Sequence, residues 1–292
     1  KNTAVGILLY KIMSRIYLIQ YFFLVRQSLT EKNNYDVVIT VSSPFSIAWA
    51  MASLSKRKIK SKFKIWIADL GDPFMLNKGL KNRPLFLFHY FEWNMLRKAD
   101  YVTVPFEEMK VQFYSKFIYK FKTIPQGVKI NPLTIKYVPN DPIKIGFAGH
   151  IYPGIRDIFS LIDFLLERNY NFQLIVYTNQ HFLFEPYYKL IGNKLILKDY
   201  VTRNQLITEL SLLDFLVAVN FNSVDGNRTA APSKLIDYAL AQRPILFYEQ
   251  SNLPLNVIQE FMEYNFENQY FVDINMYDIK VVAQKFIRLF NN

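Results

Sequence analysis

Short apolar runs closed by turn residues, each followed by a stretch of helical periodicity, recur along the 292-residue chain. The first clear run is YDVVITVSS at 35–43. It is rich in β-branched residues and too short for a buried helix, so it predicts a buried strand, then Pro44 and a helix to about Ser55. FKIWIADLGD (63–72) predicts a second strand running into an acidic loop. Helical periodicity over 84–98, a strand in DYVTVP (100–105), a helix over 106–117 and a short strand with a turn in KTIPQGV (122–128) follow. Ahead of them all, 7–29 reads as helix with an apolar stripe.

The proline-marked stretch NPLTIKYVPNDP (131–142) breaks the pattern and predicts a linker. Beyond it the alternation restarts. Strands are expected at 143–149, 172–178, 194–198, 214–220, 244–248 and 270–274. Helices are expected at 156–168, 203–212, 232–242, 254–264 and 277–290, with helix or loop at 181–190. Such alternation builds parallel sheets covered by helices on both faces. The expected architecture is α/β: two Rossmann-like domains in tandem, at 1–135 and 136–292, the last helix packing back on the first domain.

Composition narrows the chemistry. The chain has no cysteine, which excludes disulfides and thiolate metal sites, and its three histidines (His89, His150, His181) lack ligand spacing. No metal site is expected. The longest apolar run, IYLIQYFFLV (16–25), is roughly half the ~20 residues a membrane span needs. With no signal peptide visible, a cytoplasmic location is expected, with peripheral contact at the inner face of a membrane. Charge is uneven: residues 1–142 carry 22 Lys and Arg against 9 Asp and Glu, the remainder 13 against 15. A basic first half suits an anionic surface or ligand, although a compositional bias of coding gives the same count. Its densest run, Lys56, Arg57, Lys58, Lys60, Lys62 and Lys64, suits anionic headgroups or a solvated turn. No nucleic-acid-binding module is present, so no nucleic-acid partner is expected.

Ligands of open parallel sheets bind beyond the carboxyl ends of the strands. One segment expected there is GFAGHIYPGIRD (146–157). In it Gly149 and Gly154 let backbone approach a ligand, His150 shares the loop, and Arg156 at a helix start can fork two hydrogen bonds to a phosphate. A second is FNSVDGNRTAAPSKLID (221–237), where Pro232 opens a helix and Ser233 and Lys234 sit in its first turn. A lysine at that end opposes the helix dipole unless an anion joins it. Asp237 shares the face, either to accept from a sugar's hydroxyls or to pair with Lys234. In KDYVTRNQL (198–206), Tyr200 and Val201 can flank a nucleobase. Together these describe a phosphorylated, hydroxyl-rich ligand. His89 is expected to pack within its helix.

Four stretches carry a resemblance: DLGDP (69–73), ADYVTVP (99–105), GFAGHIYPGIRD (146–157) and APSKLIDYALAQRPIL (231–246). With them the chain resembles the GT-B-fold glycosyltransferases, particularly the family 4 group of bacterial polysaccharide assembly. The resemblance implies two Rossmann-like domains facing across a cleft, the first apparently incomplete because the opening strand and glycine-rich loop are not evident. It implies a nucleotide-sugar co-substrate, UDP- or GDP-linked, with no further cofactor. The acceptor would be a glycan or a polyprenyl-diphosphate-linked one, and transfer retaining and metal-independent. Gly149 would lie near the sugar phosphate, Arg156 and Lys234 would neutralise the diphosphate, and Asp237 would hold the ribose. Thr229 stands at the first position of the family's acidic pair, where a glutamate is usual. Asp69 or Asp72 would orient the acceptor hydroxyl or act as base. The alternatives are a catalytically silent binding subunit and a GT-B sugar-nucleotide epimerase or hydrolase.

Overall fold

The computed structural model describes residues 19–30, 35–77, 84, 86–131, 135–220 and 234–291. The chain divides into two compact units, Lys1–Gly127 with Lys280–Asn292, and Val128–Ile279. The expectation of a missing opening strand falls on residues 1–18, outside the described ones.

In the first unit, residues 19–28 form helix α1. Strand β1 (Tyr35–Ser42), helices α2 (Ser46–Ala52) and α3 (Lys56–Lys60), strand β2 (Phe63–Leu70), helix α4 (Leu87–Lys98) and strands β3 (Tyr101–Val104) and β4 (Phe121–Thr123) follow. The strands pair in parallel in the order β1-β2-β3-β4. Trp66, Ala68 and Leu70 of β2 enter one core with Met51, Leu96 and Phe113, while Ile67, on the opposite face of the pleat, packs on Val282 and Leu289 of the C-terminal helix α10 (Ile279–Phe290).

Two lysines in this unit act as helix caps. Lys120 Nζ donates to the carbonyls of Leu96, Arg97 and Ala99 at 2.9, 2.8 and 2.7 Å, closing the end of α4. Lys98 Nζ donates to the carbonyls of Ala52, the last residue of α2, and of Leu54 just past it, at 2.6 and 2.8 Å. The basic run is not a turn: Ser55 caps it by accepting from Lys58 N, and α3 forms. Lys60 pairs with Asp100 at 2.7 Å and Lys64 with Asp36 at 2.5 Å, so part of the run's charge is met within the protein.

The helix expected over 106–117 is instead two 3₁₀ turns, Glu107–Gln112 and Ser115–Lys120. Phe113 between them is extended, which lets Met109, Phe113 and Phe117 all reach the core. Core packing overrides helical periodicity here.

Glu92 of α4 is fully buried, its Oε1 accepting from Met75 N at 3.4 Å and its carboxylate facing the Tyr114 hydroxyl. Burial pushes its pKa up to about 7, against the lowering pull of those two donors. The folded state therefore holds a proton that the unfolded chain releases between roughly pH 4 and 7, and this contribution to stability is lost as pH rises through about 7. Glu92→Gln should flatten that dependence, gaining about 1–3 kcal/mol relative to the parent at pH 8 and little at pH 5 in paired denaturation curves. A parallel fall at both pH values would contradict it.

The second unit holds β5 (Ile143–Ala148), α5 (Phe159–Glu167), β6 (Phe172–Tyr177), α6 (Glu185–Ile191), β7 (Leu195–Lys198), α7 (Arg203–Leu210), β8 (Phe215–Asn220), α8 (Lys234–Leu240), β9 (Ile245–Glu249) and α9 (Leu255–Met262). All five strands are parallel, in the order β7-β6-β5-β8-β9. Alternate residues divide between two faces. Ile145, Phe147, Leu174, Val176, Phe215 and Val217 build one core, and Ala148, Ile175, Tyr177, Leu216 and Ala218 the other. That two-sided burial explains strands that read as continuous apolar runs.

Residues 270–274 are not a strand. Tyr270 N donates once to Ile245 O at 2.8 Å beside β9, and the chain then turns through the 3₁₀ segment Ile274–Tyr277. Asp273 caps that turn by accepting from Asn275 N, a local bond that competes with a strand ladder.

Candidate functional site

The sheet of the second unit reverses its winding between β5 and β8, and an open recess of about 190 Å³ lies by the carboxyl ends of β5 and β6. It is lined by Ala148 ending β5 and Gly149 after it, Tyr177 ending β6, Tyr200 and Val201 after β7, Leu206 of α7, and Lys234, Asp237 and Tyr238 of α8. Of the residues singled out in the sequence, Gly149, Tyr200, Val201, Lys234 and Asp237 meet here. Thr229, Ser233 and Pro232 lie outside the described residues.

Gly149 has φ +133°, a backbone conformation side chains rarely adopt, and donates its N–H to Tyr177 O at 2.9 Å. A Cβ there would stand 3.0 Å from Lys234 Nζ and 3.3 Å from its Cε. Glycine thus provides both the turn and the room in which the lysine lies. The Lys234 stem is partly accessible, but its Nζ is buried and makes no hydrogen bond among the described residues. The ammonium sits 4.1 Å from the centroid of Phe147. Burial, with the Arg156 charge adding to it, lowers the Lys234 pKa to about 7.

Asp237 does not neutralise this amine. Arg203 Nε and Nη2 both reach Asp237 Oδ1 at 2.6 Å, so the pairing of Lys234 with Asp237 weighed from sequence does not form. Arg203 lies 34 residues before its partner, beyond any local spacing rule, and only the α7–α8 juxtaposition brings them together.

Tyr238 fastens α8 to the sheet: its hydroxyl accepts from Ala148 N at 2.8 Å and donates to Val217 O at 3.1 Å. Beside the recess, Tyr177 and Lys198 each donate to Glu209 Oε2 at 2.6 Å, and Gln205 donates to its other oxygen at 2.8 Å. These bonds hold Glu209 ionised, its pKa lowered to about 2. Leu206 and Tyr238 lie in stretches singled out in the sequence, but neither was given a role there, and Tyr177 was given none either.

Arg156 does not open a helix, since α5 starts at Phe159. It closes a tight turn in which Tyr152 N donates to Arg156 O at 2.9 Å, and its guanidinium lies 5.0 Å from the Tyr152 ring centroid. The guanidinium also donates to His150 O at 3.4 Å. Asp157, buried, ties this loop by accepting from Gly154 N at 2.5 Å, Phe159 N at 3.1 Å and Gln250 Nε2 at 3.1 Å. Gln180 clamps its other side, accepting from Ile151 N at 2.7 Å and donating to Ile151 O at 3.1 Å. The loop is held on both flanks.

In the first unit, Asp72 is exposed in the turn after β2. Asp69 accepts from Thr103 Oγ1 at 2.6 Å, and burial raises its pKa. His89 lies in α4, its Nδ1 2.8 Å from the Tyr114 hydroxyl. Among the described residues no group of His, Asp and Glu is placed to hold a metal, and no helix is long and apolar enough to cross a membrane.

Comparison with solved structures gives the architecture its name. TarM superposes with a TM-score of 0.62 at 16% identity, covering 93% of this chain and 58% of that one. The lipopolysaccharide outer core galactosyltransferase WaaB gives 0.61 at 13% identity, covering 94% and 80%. The fold is GT-B. Anabaena HepE, solved with UDP and glucose, gives 0.60 at 12% identity, covering 93% and 81%. The chain therefore spans little more than half the length of the TarM structure. No protein-family model matches the chain, and no curated protein matches it significantly. In this GT-B chain the recess occupies the position at which doubly wound sheets take nucleotides.

Proposed function

We propose that the chain is a glycosyltransferase that takes a sugar from a nucleotide-sugar donor, UDP- or GDP-linked, and passes it to a glycan or lipid-diphosphate-linked acceptor in cell-surface polysaccharide assembly. The observation that carries this is the Lys234 ammonium, buried without a hydrogen-bond partner among the described residues at the mouth of the switch-point recess, its neighbouring carboxylate held by Arg203. A buried cation in that position is costly unless an anion completes it. Two fold neighbours add support, since HepE was solved with UDP and glucose and WaaB is named a galactosyltransferase.

On this reading the recess, smaller than the ~300–1,000 Å³ of a whole-ligand site, takes the nucleoside. Exposed Tyr200 and partly buried Val201 flank the base. Asp237 engages Arg203 through Oδ1 alone, which leaves Oδ2 to accept from the ribose. The diphosphate meets Lys234 and Arg156, with Gly149 and His150 alongside. As the bond from the anomeric carbon to phosphate breaks, charge builds on the leaving diphosphate. Two fixed cations supply the stabilisation that a metal gives elsewhere, so transfer is metal-independent. Asp72 in the first unit orients the acceptor hydroxyl, and retention of configuration belongs to the same reading. The test is calorimetric titration with UDP-, GDP-, dTDP- and CMP-sugars without metal. Selective binding of one donor is expected; a folded chain that binds none would contradict the proposal.

A further inference from the structure

We propose that Arg203 is a positioning residue which, by holding Asp237, keeps the Lys234 amine open for the phosphates of the donor. Its role rests on the donor reading above, of which it is the regulating contact. Asp237 is the one carboxylate lining the recess among the described residues, and Lys234 the one amine. They stand three residues apart on α8, a spacing at which a helical lysine and aspartate can meet. Here they do not. Arg203 Nε and Nη2 both take Asp237 Oδ1 at 2.6 Å, and Lys234 Nζ is left buried without a hydrogen bond among the described residues.

Both sides of the pair are anchored by other bonds. Arg203 opens α7, where the Thr202 hydroxyl oxygen accepts from Gln205 N at 3.4 Å. Further along that helix Glu209 is bound by Tyr177 and Lys198, which pins α7 to the ends of β6 and β7. Asp237 sits beside Tyr238, whose hydroxyl joins α8 to β5 and β8. The guanidinium fork therefore meets a carboxylate on a helix as firmly held as its own. Lysine is the weaker competitor. On a helix the order lysine before acid is the less favourable one, and Lys234 is folded inward, its Nζ 4.1 Å from the Phe147 centroid in the room that Gly149 leaves.

The other groups around the amine make Asp237 decisive. The loop after β5 brings Arg156, whose charge opposes the ammonium, with His150 beside it. The end of β6 brings Tyr177, the segment after β7 Tyr200, and α8 Tyr238. Burial raises the pKa values of the Tyr177 and Tyr238 hydroxyls, so neither supplies an anion. A released Asp237 would pair with Lys234, satisfy the buried charge, and make the donor diphosphate compete with a carboxylate for it. Held by Arg203, it leaves that charge for the ligand to complete. The Arg203 side chain is about half exposed (47%), so the ion pair itself adds little to stability, and its effect is read at Lys234.

The test is titration of the Lys234 amine in the ligand-free full chain, followed by NMR of isotope-labelled lysine Cε and assigned with Lys234→Met. In the parent the amine should titrate near pH 7. Arg203→Met should move that midpoint upward by about one pH unit or more, because Asp237 turns to the amine. Arg203→Met/Asp237→Asn should bring it back to the parent value. Arg203→Met should also bind the nucleotide sugar selected from the panel about tenfold more weakly than the parent. A parent amine that titrates in the ordinary lysine range overturns the proposal, and so does a midpoint that stays put in Arg203→Met. An upward move that persists in the double variant would come from loss of the guanidinium charge alone and overturns it too, as does unchanged donor affinity beside a moved midpoint. A parent that binds no donor fails the donor reading by the separate panel titration, while the ligand-free midpoints still decide whether Arg203 controls the amine.

Discussion

Lys234→Met should make the protein more heat-stable at pH 6 while weakening nucleotide-sugar binding about thirtyfold. The direction follows from the proton balance. The amine has a pKa lowered from 10.5 to about 7 by burial and by Arg156. Between those pH values the folded state binds fewer protons than the unfolded chain, so stability rises with pH across that window and the cost is fully felt below pH 7. Met keeps length and apolar contact with Phe147 and removes the charge. Replacing poorly compensated buried charge by apolar groups has stabilised proteins by about 1–4 kcal/mol, which for a unit of this size corresponds to roughly 3–12 °C in Tm. The gain should shrink as pH approaches 10. Loss of a charge-assisted contact to a diphosphate costs about 2–5 kcal/mol of binding, about thirtyfold or more in Kd. Scanning calorimetry at pH 6 and 9.5, with titration of the selected donor, reads both effects. A Tm that falls at pH 6 would make Lys234 a structural residue.

Gly149→Ala should act on the same cradle from the other wall. At φ +133° an alanine costs about 1–3 kcal/mol, whatever space surrounds it. The new Cβ also meets Lys234 Nζ at 3.0 Å, and the amine, at the free end of a flexible chain, is the part that yields. A Tm lower by roughly 3–8 °C and donor affinity weaker by about tenfold are expected. Pairing it with Lys234→Ala separates the causes: the double variant should lose less stability than the sum of the singles, because the clash is gone and only backbone strain remains. Strict additivity would mean that the two residues do not share the site as described.

The strands of the second unit were legible because both faces of their sheet are buried, whereas β1, read from sequence as a buried strand, leaves Tyr35, Ile39 and Val41 exposed. Continuous apolar runs such as DFLVAVN at 214–220 have few other solutions between turn signals. What failed lay where local bonding or packing outweighs periodicity. Phe113 breaks an apparent helix because its ring is needed in the core, and Asp273 caps a turn where a β-rich run suggested a strand. In the site, Lys234 was conspicuous because a lysine opposes the charge of a helix start. Asp237 was conspicuous by its spacing from it. Its real partner Arg203 was hidden, as contacts between α7 and α8 depend on sheet order, which no local pattern encodes. Tyr238 stands in the stretch that carries the resemblance, but its role was hidden: its hydroxyl joins α8 to β5 and β8, a contact that sheet order alone creates.

The most direct test of the central claim is the proton count in the donor titration. At pH 8 the Lys234 amine is mostly neutral, and a diphosphate beside it should restore its charge. Titrating the nucleotide sugar selected from the panel in two buffers of different ionisation enthalpy gives the number of protons taken up. Uptake approaching one proton per donor bound, abolished in Lys234→Met, is the predicted result. Binding with no proton uptake at pH 8 would contradict the account.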